Sequence, residues 1–438
     1  MKKIKFLVIC PAAKEFRVTK AKKPFKAMKV FRFSMLSALY VAASAPKDVE
    51  TKIIDENIEP IDFDSDADII GISFMTFNAP RAYELSEIFR KKGKTVIFGG
   101  YHPSLLPKEA IKHCDAVCIG EAESNIPRII EDFRRKKLKK FYRYPYKKFR
   151  KLNFNENLLD KRQYISPAVQ ATRGCYNKCE FCSIAKFSNN TFKARPVEDV
   201  LEEIKKIKNN TFLFIDDNII ADLGYAKRLF KGLIHLKKKW YGQISVNATK
   251  DIGLLKLMED SGCRGVFVGF ESLSQDSLNI VNKEFNRADY YKEAVNKFHS
   301  HKMGVFAAFV LGFDNDKKDI FGKTIQFLKE ADIDALQLTI LTPFPGTSLF
   351  KKMDKEKRIF DKNWENYNLG HVVFYPKNMS PEELEKGHSK VLKDFYSWKS
   401  ILGRFFRQLK YLTPKQMFIS ILISIGYRFK LKKTGYRI

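Results

Sequence analysis

The pattern that most constrains this chain occurs twice: short, continuous apolar runs alternate with longer stretches of helical periodicity. The first series predicts strands at 4–10, 51–54, 69–74, 95–99 and 116–119, with helices at 34–45, 79–92 and 123–135. Runs that are apolar at every position belong to parallel strands covered on both faces. Residues 1–145 are therefore expected to form an open, doubly wound, Rossmann-like α/β domain. The second series predicts strands at 168–172, 211–215, 243–248, 265–270, 304–311 and 335–341, each followed by a helix as far as 331. Six such units point to a partial (β/α)6 barrel over 166–350, with its chemistry at the carboxyl ends of the strands. Between the two series, the basic run 134–151 (RRKKLKKFYRYPYKKFRK) and the polar stretch 153–162 read as an exposed linker, bounded at 146–165. Residues 351–438 read as a mainly helical extension, in which Ser380-Pro381-Glu382-Glu383 has the form of a helix start.

Chemistry is concentrated in Thr172-Arg173-Gly174-Cys175-Tyr176-Asn177-Lys178-Cys179-Glu180-Phe181-Cys182-Ser183, just after the first barrel strand. Three thiolates spaced C-x3-C-x2-C can ligate three irons of a [4Fe–4S] cubane, leaving the fourth open to an exogenous group. Structural zinc is the main alternative, but a closed zinc site needs four ligands, and no second C-x2-C or His pair stands at a matching distance. Cys10, Cys114, Cys118 and Cys263 lie in or beside predicted strands and helices and read as small buried apolar residues. Seven cysteines, three of them within eight positions, do not describe a secreted disulfide framework. The opening MKKIKFLVIC has too short an apolar stretch for a signal h-region and reads as a buried strand. A reduced, cytoplasmic protein is expected.

With this motif the sequence resembles the radical S-adenosylmethionine (SAM) superfamily. The resemblance implies that Cys175, Cys179 and Cys182 bind the cluster and that SAM chelates the open iron through its amino and carboxylate groups. Reductive cleavage would then yield methionine and a 5′-deoxyadenosyl radical that abstracts hydrogen. Phe181 matches the aromatic residue before the last cysteine, where the family contacts adenine. Phe214-Ile215-Asp216-Asp217-Asn218 ends the second strand, where the family receives the SAM ammonium. Asp216 and Asp217 are the implied acceptors, and a helix N-cap role stays open for both. Ser245 and Asn247 stand where the family touches SAM's carboxylate or ribose, Glu271 of Gly269-Phe270-Glu271-Ser272 where it meets ribose or substrate, and Leu311 beside adenine. The turn Thr342-Pro343-Phe344-Pro345-Gly346-Thr347 also matches. No residue is assignable as general acid or base.

Residues 1–145 are similar to the cobalamin-binding domain that precedes such barrels in the class B methyltransferase branch. The similarity rests on 67–73, on Phe98-Gly99-Gly100-Tyr101-His102-Pro103 and on Cys118-Ile119-Gly120-Glu121-Ala122-Glu123. It implies corrinoid contacts from Ser73, Gly99, Gly100, Tyr101, His102, Gly120 and Glu121. Glycines at strand ends permit close approach of a large ligand. The D-x-H-x-x-G loop that supplies a lower cobalt ligand in many cobalamin domains has no counterpart, because 11–30 contains no His. Cobalamin is expected without a protein histidine beneath cobalt. The stretch 374–384 is similar to the extension of relatives of the hopanoid C-2 methylases.

The formal charge is +30, from 80 Lys+Arg against 50 Asp+Glu, which suits an anionic membrane surface, nucleic acid or phosphorylated substrates as well as plain lysine-rich usage. No stretch is long and apolar enough to span a bilayer, but 414–426 (PKQMFISILISIG) is nearly all apolar between basic residues and suits either a packed terminal helix or a peripheral membrane contact. The expected function is cobalamin-dependent methylation of an unactivated carbon in a small-molecule or lipid-like substrate. Electrons would come from a flavodoxin- or ferredoxin-type reductant. A non-methylating rearrangement or C–C bond formation, with cobalamin auxiliary or absent, is the alternative. RNA binding or tRNA modification stands further off, since no RRM, KH or RNP signature is present.

Overall fold

The computed structural model describes residues 3–24, 32–146, 149, 156–160, 163, 164 and 166–435. A six-stranded parallel sheet comes first, in the order β2-β1-β3-β4-β5-β6. Its strands are β1 (Lys5–Cys10), β2 (Glu50–Asp55), β3 (Ile69–Ser73), β4 (Thr95–Gly99), β5 (Ala116–Cys118) and β6 (Phe141–Tyr142). Alternation along β1 shows why the run is apolar throughout. Phe6 and Val8 pack on one face with helices Leu36–Ser44 and Ala122–Arg134, while Leu7 and Ile9 pack on the other with helix Ala79–Lys91. Chain order reverses between β1 and β3, so a crevice opens at the carboxyl edge of their neighbours, the usual ligand position in such sheets.

The second sheet is also parallel, in the order β14-β13-β12-β11-β10-β7. Its strands are β7 (Ala168–Val169), β10 (Thr211–Phe214), β11 (Lys239–Ile244), β12 (Cys263–Glu271), β13 (Gly304–Leu311) and β14 (Ala335–Ile340). Among the described residues β7 and β14 are not paired to each other, so the barrel is partial, as expected. Two short strands, β8 (Thr172–Gly174) and β9 (Phe192–Ala194), form a separate antiparallel hairpin around the cysteine loop. The expected strand 168–172 is thus divided. Its far end leaves the barrel because Asp216 captures the Ala171 and Thr172 amides.

The basic run 134–151 is not simply a linker. Arg134 closes a helix, and Phe141–Tyr142 pairs with β5 as the edge strand β6. Tyr142 is fully buried, and its hydroxyl donates to Asp132 Oδ2 at 2.8 Å. Much of the rest of the expected linker, with 25–30 of the histidine-free loop, lies outside the described residues. Beyond the barrel, helix Pro381–Phe395 opens with a complete capping box between Ser380 and Glu383, as the sequence predicts. Helices Trp398–Gln408 and Pro414–Lys433 follow.

Candidate active site

Cys175, Cys179 and Cys182 lie between β8 and β9, half-buried, while the four other cysteines are fully buried. Burial pushes all three loop thiols up, Cys179 to about 12, and the nearby Lys283 ammonium opposes that rise. The loop is pinned from the barrel: Glu180 N–H donates to Val281 O at 3.2 Å, and Cys179 Sγ lies 3.8 Å from Asn282 O. Among the described residues no three His, Cys, Asp or Glu side chains converge closely enough to hold a single ion. Three accessible thiols with a cation beside them, on one pinned loop, suit an anionic thiolate cluster in their chemistry.

The two neighbouring aspartates differ. Asp216 is completely buried and accepts from the Thr172 amide, from Thr172 Oγ1 at 2.6 Å and from Ala171 N at 3.3 Å. Burial raises its carboxyl to about 7, so its geometry is that of a tie between β10 and the cysteine hairpin. Asp217 accepts from Gly174 N at 2.8 Å through one oxygen and lies close enough to Cys175 and Tyr101 to add to the rise that burial imposes on both groups. Asn218 receives the Ser245 amide at 3.2 Å, joining the ends of β10 and β11. Ser245 is half-buried, and the Oδ1 of Asn247 is buried with no hydrogen-bond partner.

Glu271 ends β12 with a positive φ of 70° and is ion-paired to Lys283. The Lys283 side chain is only 12% exposed, and its ammonium is held charged against that burial by Glu271, Cys179 and Cys182. Lys283 is the site residue that sequence reading missed, and nothing in the order of residues singles it out from its many fellow lysines. Leu311 is buried at the end of β13, and Phe181 meets the ring of Phe313 edge-on at 6.2 Å. Asp316 holds the following turn by accepting from Gly312 N at 2.9 Å and Phe313 N at 3.1 Å.

The N-terminal sheet presents its carboxyl edge to this loop. Tyr101 packs on Phe187, just after the cysteines, at 4.5 Å between ring centroids. Gly100 has φ 98°, and a Cβ there would stand 2.7 Å from Phe74 O. Gly99 and Gly120 have open space: an added Cβ would meet only Cys118 Cβ at 3.7 Å in the first case and nothing within 4 Å in the second. Ser104 clamps the two glycine turns by donating to Gly100 O at 2.6 Å and accepting from Gly120 N at 3.0 Å. The open glycine positions, with Ser73 half-buried beside Gly99, leave room for the close approach of a large ligand.

Two of the expected corrinoid contacts are engaged elsewhere. His102 is fully buried, with Nε2 3.0 Å from the Tyr83 hydroxyl and 3.5 Å from Glu109 Oε1, while Trp364 donates to the same Glu109 oxygen at 2.7 Å. Glu121 is ion-paired to Lys193 and, at 2.9 Å, to Arg173, whose guanidinium also lies 2.9 Å from Glu123. Arg173 thereby ties the cysteine hairpin to the glycine turn after β5.

Residues 169–328 match the radical SAM superfamily, 31–130 the B12 binding domain, and 347–426 a domain of unknown function, DUF4070. The chain is 32% identical over 386 residues to the bacteriochlorophyllide d C-12(1)-methyltransferase of Chlorobaculum tepidum, covering 84% of each protein. It is 23% identical to the hopanoid C-2 methylase of Rhodopseudomonas palustris, over 75% of this chain and 66% of that one. The structure of TsrM from Kitasatospora setae, a radical SAM methyltransferase with cobalamin and a [4Fe–4S] cluster bound, superposes with a TM-score of 0.60 over 95% of this chain and 92% of that one. At 12% identity that likeness is one of fold.

Proposed function

The chain belongs to the radical SAM superfamily, in the branch that carries a B12-binding domain, and we propose that it is a methyltransferase acting on a carbon of a bulky, largely apolar small molecule. One observation carries this reading. The cysteine loop and the glycine edge of the N-terminal sheet face each other, with Tyr101 on Phe187 and Arg173 on Glu121 and Glu123. When bound, the cluster supplies the electron that splits SAM, and cobalamin serves as methyl carrier.

Everything else is the work of the chain's own residues. Cys175, Cys179 and Cys182 hold the cluster. Asp217 has a second oxygen, besides the one bonded to Gly174, for an ammonium group. The Lys283 ammonium suits a carboxylate, and Glu271, fixed by that lysine, suits ribose hydroxyls. Ser245 and the unpartnered Oδ1 of Asn247 complete the polar lining, and Phe181 and Leu311 offer apolar surface to a base. Asp216 orients the hairpin from behind. Ser73, Gly99, Gly100, Tyr101 and Gly120 form the corrinoid floor, with His102 and Glu121 supporting it. The C. tepidum relative is named for a tetrapyrrole and the R. palustris relative for a hopanoid, which supports a tetrapyrrole- or lipid-class substrate. Electrons come from a flavodoxin- or ferredoxin-type protein in the reducing cytoplasm.

The test is anaerobic purification from cobalamin-supplied cells with iron, sulfide and corrinoid assays, followed by product analysis with candidate tetrapyrroles and lipids. About four irons and one corrinoid per chain are expected, with S-adenosylhomocysteine and 5′-deoxyadenosine formed together. Deoxyadenosine without S-adenosylhomocysteine would replace methyl transfer by another radical reaction. Zinc in place of iron would sink the assignment.

A further inference from the structure

The last two helices bury polar side chains among their inward residues (with Ile401, Met417, Tyr427 and Leu431) while leaving large apolar ones exposed. In helix Pro414–Lys433 the side chains turned toward the protein include Gln416 and Ser424, while Phe418, Leu422 and Phe429 are exposed. Helix Trp398–Gln408 repeats the pattern: Arg404 and Gln408 are buried, and Trp398, Leu402 and Phe406 are exposed, with Leu409 just beyond. The inward polar groups are fully engaged. Gln416 Nε2 donates to Arg264 O at 2.9 Å and Lys302 O at 2.8 Å, and Gln408 Nε2 to Asp334 Oδ1 and Ser420 Oγ, both at 2.8 Å. Arg404 donates to Phe395 O at 2.6 Å.

The two helices lie side by side in antiparallel register, Arg404 meeting Ser424 and Gln408 meeting Ser420, and the Arg428 guanidinium sits 5.0 Å over the Trp398 ring. The exposed apolar residues therefore form one surface. Its area is on the order of 600 Å², at the upper end of what a monomer leaves in water. Helices that keep a row of large apolar side chains on their outer side belong against an apolar medium. Among the described residues no helix is long and apolar enough to cross a membrane, so that medium is met at its surface.

Charge identifies the medium. From 398 to 435 the chain has nine Lys and Arg and no Asp or Glu, and Lys399, Lys410, Lys415 and Lys432 are exposed around the apolar surface. A second copy would bring the same positive charge to the interface, whereas an anionic bilayer complements it. We infer that this helical hairpin docks the protein on an anionic lipid surface, its aromatic and leucine side chains entering the headgroup boundary and its lysines pairing with lipid phosphates. The inference goes beyond the reaction assigned above and does not depend on it.

The test is flotation of the full-length protein with vesicles of phosphatidylcholine alone or with roughly 30% phosphatidylglycerol, at low and high salt. Binding to the anionic vesicles, weakened by salt, is expected. The double variant Phe406→Glu/Phe418→Glu should reduce the bound fraction at least about tenfold, with unchanged circular dichroism because both side chains are exposed. Lys410→Gln/Lys415→Gln should weaken binding without touching the apolar face, which keeps the test decisive if the first variant misfolds. No binding to anionic vesicles, or binding indifferent to both variants, would overturn the inference. So would a dimer in sedimentation velocity that the glutamates dissociate while the vesicles stay bare.

Discussion

At Lys283 one ammonium group is shared between Glu271 and the thiols of Cys179 and Cys182. A cation so placed compensates buried negative charge on three sides, and its loss would leave Glu271 without its partner. The Lys283→Met variant is expected to keep about four irons per chain but to bind SAM some 10- to 100-fold more weakly, the worth of a hydrogen bond to a charged group. Calorimetric titration of SAM and the SAM-induced change in the cluster's electron paramagnetic resonance spectrum read this directly. Cys175→Ala, by contrast, should lose the iron itself. The cysteines announce themselves by spacing. Lys283 does not, because what selects it is the approach of the 281–283 turn to a loop about a hundred positions earlier.

Among the elements, the turn after β4 requires at Gly100 a backbone conformation that only glycine adopts freely. An alanine there would have to adopt φ near 98° with its Cβ 2.7 Å from Phe74 O. Gly100→Ala should cost about 1–3 kcal/mol, seen as a lower thermal midpoint together with reduced corrinoid retention if the same turn forms the floor, as proposed. Helix Pro381–Phe395 has a pH limit of its own. His388 is buried against Leu338 O at 2.9 Å, and burial lowers its pKa to about 4. The folded state binds this proton less readily than the unfolded chain, so the contribution is complete above about pH 6.5 and is lost as pH falls toward 4. Acid titration of the midpoint should show a loss on the order of 3 kcal/mol across that window, and His388→Gln should flatten it.

For the whole molecule, the N-terminal sheet, the barrel and the extension are joined by ion pairs and hydrogen bonds as well as by the packing of Tyr101 on Phe187. Arg173 joins Glu121 and Glu123, Trp364 of the extension joins Glu109, and Arg358 holds Asp314. Arg173→Leu would leave Glu123, whose side chain is 3% exposed, without its counter-ion. A loss of about 3 kcal/mol is expected. Urea unfolding should then separate into two transitions, and corrinoid should leave before iron does.

The sequence by itself determined the two parallel sheets and most of their strands to within a residue or two, although β11 (Lys239–Ile244) lies four residues before the expected 243–248. It singles out the three loop cysteines as the candidate cluster ligands. Each of these depends on local period or spacing, which the order of residues expresses directly. Only the tertiary structure decided that Thr172 leaves the barrel for a hairpin, that Phe141–Tyr142 becomes an edge strand inside a basic run, and that His102 and Glu121 face protein partners. It also decided that Arg404, Gln408, Gln416 and Ser424 of the last two helices face inward. In each case the cause is a partner distant in sequence: Asp216 for Thr172, β5 for β6, Arg173 for Glu121, and backbone carbonyls and Asp334 for Gln416 and Gln408. A buried polar group must find a hydrogen bond wherever the fold supplies one, and no local pattern records where that will be.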